Sequence, residues 1–195
     1  MSHTFLTLLL LPFLVFNAPI SAEKNENKKA ISASQIEGLL IVVNKTDNSI
    51  SIIDTAQQKV VNTLPTGKGP HELVVSQDGK WAVSTDFVGG NSLTVFDIAN
   101  QSVARTIKLD QYSGPHGIRF LNDQEQVAFT SGKSQHFVVV NIFTGEITQA
   151  VSTKQDTTHM LAISPKEDFA YTTNIRSNSI SKISLADFTL VEQIP

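Results

Sequence analysis

The chain has 195 residues, a net charge of −3 at neutral pH and no cysteine. Its acids and bases are interspersed, which excludes an extended phosphate-binding surface, so nucleic acid is not an expected partner. The missing thiols exclude disulfides, thiolate metal centres, a cysteine nucleophile and a lipid-anchored cysteine.

Residues 1–22 contain no Asp, Glu, Lys or Arg, and Phe5 to Phe16 is an apolar run shorter than the ~20 residues that cross a bilayer. It reads as a secretory signal cleaved after Ala22, where Asn17-Ala18-Pro19-Ile20-Ser21-Ala22 supplies a helix breaker and a small residue. Residues 23–38 form a charged linker with one weak candidate strand at Ile31–Ser34. The expected product is periplasmic or extracellular, with no membrane contact after processing.

From Leu39 onward the chain repeats. Ile50-Ser51-Ile52-Ile53-Asp54, Leu93-Thr94-Val95-Phe96-Asp97, Phe137-Val138-Val139-Val140-Asn141 and Ile180-Ser181-Lys182-Ile183-Ser184 recur at steps of 43, 44 and 43 residues. That period suits one four-stranded propeller blade. In each copy, short β-branched and aromatic runs are separated by Gly, Asn, Asp and Ser turns, so the expected fold is an all-β propeller of four-stranded antiparallel blades. About four blades are expected, over residues 39–70, 71–115, 116–158 and 159–195. Innermost strands are expected at Glu72–Ser76, Gly117–Leu121 and Met160–Ser164. Ala82, Ala128 and Ala170 are read as one equivalent small position on the second strand, where bulky side chains of a neighbouring blade would fit. Asp54, Asp97 and Asn141 end their strands as turn devices.

Tyr171-Thr172-Thr173-Asn174, the turn Ser76-Gln77-Asp78-Gly79-Lys80, Ile50 to Asp54 and Gly69-Pro70-His71 resemble the YVTN family of β-propeller repeats, which is related to lactonase-like seven-bladed propellers. The resemblance covers Leu39 to Pro195 and implies that these blades form part of a seven-bladed ring. Further C-terminal blades are the first expectation for closing it; self-association of two copies, or closure by four blades alone, are the others.

His71, His116 and His159 recur at steps of 45 and 43 residues, each just before an innermost strand. They share parity with Leu73 and Val75, Ile118 and Phe120, Leu161 and Ile163, which would turn them toward the next blade to fix a loop by hydrogen bonds. That reading is preferred to metal ligation, and no metal or cofactor is expected. Residues that break the repeat are better candidates for specific roles. Arg119 stands where other copies carry Val74 and Ala162, and Lys68, His71, Asp86, His136, His159 and Arg176 fall in or beside loops on one rim, with the insertion Phe87–Asn91 shaping it. The expected function is an exported, non-catalytic binding or scaffold protein that takes a protein or small-molecule ligand at this mouth. The resemblance implies an alternative, a lactonase-like hydrolase acting on a sugar lactone, for which Arg119, Glu72 and His116 are the catalytic candidates. A third reading is a copper- or haem-associated respiratory propeller.

Overall fold

The structure is a computed structural model that describes residues 38–195. The signal segment and the candidate strand Ile31–Ser34 lie outside the described residues. Fifteen strands make four antiparallel meanders. Blade 1 comprises β1 (Leu39–Asn44), β2 (Ser49–Asp54) and β3 (Lys59–Pro65). Blade 2 comprises β4 (Pro70–Val75), β5 (Trp81–Asp86), β6 (Ser92–Asp97) and β7 (Ser102–Lys108). Blade 3 follows as β8 (Pro115–Phe120), β9 (Gln126–Ser131), β10 (His136–Asn141) and β11 (Ile147–Ser152). Blade 4 is β12 (Thr158–Ile163), β13 (Phe169–Asn174), β14 (Ser179–Ser184) and β15 (Thr189–Ile194). Among the described residues blade 1 therefore has three strands and each of the others four.

The core lies between blades, as the β-branched content of both faces of each sheet requires. Ile50, Ile52 and Leu64 of blade 1 pack on Ala82, Phe96 and Ile98 of blade 2. Val83, Leu93 and Val95 of blade 2 meet Ile118, Val127, Phe129 and Val138 of blade 3. Phe137, Ala128 and Val139 of blade 3 meet Leu161, Ala170 and Ile183 of blade 4.

Register corrects one expectation. Trp81 pairs with Asp97, Gln126 with Asn141 and Phe169 with Ser184, so the equivalent small position is Ala82, Val127 and Ala170. Ala128 sits one residue further and therefore faces the opposite way. Ala82 accordingly packs toward blade 1, whereas Ala128 packs toward blade 4.

The turns follow local chemistry. Asp54 Oδ1 accepts from Gln57 N–H at 2.9 Å, Asp97 Oδ1 from Asn100 N–H at 2.9 Å and Asn141 Oδ1 from Phe143 and Thr144 N–H at 2.9 Å, which confirms the turn role read for them. On the same side, blades are stitched to each other. Gln124 Oε1 accepts from Gln77 N–H and Glu167 Oε1 from Asn122 N–H, both at 2.6 Å.

Candidate functional site

Each innermost strand of blades 2 to 4 starts two residues earlier than expected, so His71, His116 and His159 are the second residues of β4, β8 and β12 rather than loop residues. A bulge follows each: pairing jumps from Pro70 to Leu73, from Pro115 to Ile118 and from Thr158 to Leu161. A bulge leaves a backbone N–H outside the ladder, and here a threonine on the second strand takes it. Thr85 Oγ1 accepts from Glu72 N–H at 3.1 Å, Thr130 Oγ1 from Gly117 N–H at 2.9 Å and Thr173 Oγ1 from Met160 N–H at 3.1 Å. Thr130 Oγ1 also donates to the His159 carbonyl, tying blade 3 to blade 4. Glycine at 117 permits that approach, since a Cβ there would stand 2.7 Å from Leu161 N.

The bulges break the parity that would have turned the histidines onto an inter-blade face, and the rings gather with one another. Ring centroids are 4.5 Å apart for His71 and His116 and 3.5 Å apart for His116 and His159. Phe87 from the inserted loop lies edge-on to both His71, at 5.5 Å, and His116, at 5.0 Å. The next-blade face expected for this parity is also corrected: Leu73, Ile118 and Leu161 pack toward the preceding blade. Nor do hydrogen bonds fix loops as expected, because His71 Nδ1 and His116 Nδ1 are buried without a hydrogen-bond partner. His71 Nδ1 instead lies 3.4 Å from Glu72 Oε1.

Burial first, and the neighbouring His159 and His71 second, push His116 down to about 4, so its imidazole is neutral at physiological pH. His159 is lowered by burial and by His71, with Glu72 opposing.

A profile of the YNCE-like beta-propeller family matches residues 27–127, just over half of the chain. The chain belongs to this family. Solved structures share the fold, two of them as follows. A structure titled "Kuenenia stuttgartiensis Hydrazine Synthase" superposes with a TM-score of 0.72 at 21% identity, over 80% of this chain and 45% of that one. A functionally unknown protein from Desulfotomaculum acetoxidans DSM 771 superposes with a TM-score of 0.67 at 14% identity, over 81% of this chain and 54% of that one. This YNCE-like chain thus spans about half the length of each. Curated proteins gave no match.

The YNCE-like blades bring together only part of the expected site. His71, Glu72, His116 and His159 converge. Arg119 does not join them: it is exposed further along β8, and its Nη1 donates to its neighbour's carbonyl, Ile118 O, at 2.8 Å. Lys68 and Arg176 are exposed in loops of the histidine side. His136 opens β10, away from the cluster, with Nδ1 2.5 Å from Ser134 O and its ring against Tyr112.

Asp86 is a correction, because it is fully buried and does not reach the rim. It accepts from Ser92 Oγ at 2.5 Å and Thr94 Oγ1 at 3.0 Å. Equivalent amides do the same work elsewhere: Asn44 Nδ2 donates to Ser49 and Ser51, and Asn174 Nδ2 to Ser179 and Ser181. Sequence reasoning put the Phe87–Asn91 insertion at the rim but missed the contact of Phe87 with the histidine rings, the close approach at Gly117 and the bulge threonines. A signal for the last existed, since Thr85, Thr130 and Thr173 recur at the steps of 45 and 43 that the histidines follow.

Proposed function

We propose that this YNCE-like propeller is an exported, non-catalytic binding module whose histidine-side rim captures an acidic partner protein. One observation carries the reading: the two rims differ in charge balance. Loops on the histidine side expose Lys45, Lys68, Lys133, Lys154 and Arg176 against Asp47, Asp110 and Asp156, while turns on the opposite side carry Asp54, Asp78, Asp97, Asp123, Glu125, Glu146, Glu167, Asp168 and Asp187 against Lys80 and Lys166. A cationic mouth backed by an acidic base orients an anionic partner during encounter. The uncharged, apolar leader at residues 1–22 supports export. The position of Arg119 favours binding over lactone hydrolysis. That reaction would require its guanidinium beside Glu72 and His116, and it is bonded locally instead.

The test compares capture of acidic proteins from the exported fraction by wild type, by a Lys68→Glu/Arg176→Glu variant and by a Lys166→Glu variant on the opposite rim. Capture should weaken with salt, be lost in the first variant and persist in the second. Capture indifferent to reversal of the rim charges, or turnover of sugar lactones that depends on Arg119 and Glu72, would overturn the proposal.

A further inference from the structure

We infer that His71, Glu72 and His116 form a binding site for a single divalent transition-metal ion of borderline softness, with zinc the first candidate. The inference stands apart from the export and partner reading, because it rests on local geometry alone. One ligand atom from each of the three residues lies within 4.8 Å of the others. One pair, His71 Nδ1 and Glu72 Oε1, is separated by 3.4 Å. Zinc bonds nitrogen and oxygen at roughly 2.0–2.2 Å, so two ligands on a tetrahedral ion sit about 3.3 Å apart. That pair already has the required spacing, and side-chain rotation would bring in His116.

The second observation is independent of spacing. His71 Nδ1 and His116 Nδ1 are buried polar atoms without hydrogen-bond partners, and such atoms are costly to leave unsatisfied. Burial with a lone pair unused is what a metal ligand needs and what a purely structural histidine avoids. Two further features fit. Phe87 closes one side with an apolar ring, which lowers the local dielectric. His71 and Glu72 are each partly exposed, which leaves the ion an entry path and an open position for water or a partner's side chain. Two imidazoles and one carboxylate suit zinc, nickel or copper(II) and are too nitrogen-rich for calcium or magnesium. His159 stacks on His116 outside the trio and packs the ring rather than ligating.

The experiment uses the chain without a polyhistidine tag, stripped with chelator and titrated with Zn2+ by calorimetry, with Co2+ absorbance as a second readout of coordination. Wild type should bind one ion, with a cobalt spectrum of four-coordinate type. Glu72→Gln and His71→Asn alter half-exposed side chains, so they keep the fold testable by circular dichroism. Each should weaken Zn2+ binding by about tenfold or more, the scale seen when groups in or around a metal site are removed. His136→Ala, outside the cluster, should bind as wild type does. Absence of Zn2+ binding by wild type, unchanged affinity in both folded trio variants, or a loss confined to His136→Ala would each overturn the inference.

Discussion

Asp86 is a charged residue doing what an amide does in two other blades. Burial raises its pKa above the ordinary carboxylate value of 3.8, against the opposing hydrogen bonds from Ser92 and Thr94. The folded chain therefore holds this proton more tightly than the unfolded chain does. The resulting stabilisation is present below the unfolded pKa and is lost as pH climbs through the folded one. Asp86→Asn removes that dependence and can donate to Ser92 and Thr94, as Asn44 and Asn174 do to their serines. The variant's melting temperature relative to wild type should be higher at neutral pH than at pH 3.8, by thermal denaturation; an advantage that grew on acidification would refute this account. Asp86 was read in the sequence as a rim residue in or beside a loop and not as a buried one, because Gly67, which packs against it, belongs to a separate loop. A Cβ at 67 would collide with the Asp86 carboxyl group. A second residue-scale expectation concerns Thr130, whose hydroxyl joins the Gly117 bulge to His159. Thr130→Val keeps the shape and strands the Gly117 N–H, so it should cost about 1–3 kcal/mol in denaturant unfolding and shift the NMR resonances of His116 and His159 more than those of His136.

The strands themselves were readable from alternation, from β-branched content and from the Asp54, Asp97, Asn141 and Ser184 that close β2, β6, β10 and β14, because those signals are local. Register on the second strand was harder. Matching alanine to alanine placed Ala128 with Ala82 and Ala170, yet eleven residues beyond each histidine stand Ala82, Val127 and Ala170, in agreement with the observed pairing. A one-residue error inverts the face, and the inversion has a measurable consequence. Ala128 and Ala170 share the interface between blades 3 and 4, while Ala82 belongs to that between blades 1 and 2. Enlarging any of the three to Leu should destabilise by about 1–3 kcal/mol through overpacking. Ala128→Leu and Ala170→Leu should then be non-additive by about 0.5 kcal/mol or more, whereas Ala82→Leu should add to either. Additivity in all three pairs would instead restore one equivalent position per interface. The histidine cluster was legible only as a recurrence. Its convergence depends on the bulges, which arise from a threonine bond between strands rather than from any local run of residues.

At the scale of the molecule, stability should follow the number of neighbours a blade has. Blades 2 and 3 pack on both faces, and Val83, Phe96, Val127 and Phe137 are fully buried. Blade 1 turns Leu40, 51% exposed, and Val42, 37% exposed, away from blade 2, and blade 4 turns Ile180, 39% exposed, away from blade 3. In a repeat architecture each blade contributes an intrinsic term plus one for each interface, so a blade with one partner opens at lower cost than a blade with two. Native-state hydrogen exchange should therefore be slowest in β5, β6, β9 and β10 and fastest in β1 and β15, with no single global rate. The same measurement addresses ring closure. If the outer faces of blades 1 and 4 meet a further blade or a second copy in solution, Leu40, Val42 and Ile180 lose their exposure and the gradient flattens. For a second copy, protection of β1 and β14 should rise with protein concentration; for blades of a longer chain it should be independent of concentration. A steep gradient that persists at every concentration would show the four blades holding together through their three internal interfaces alone.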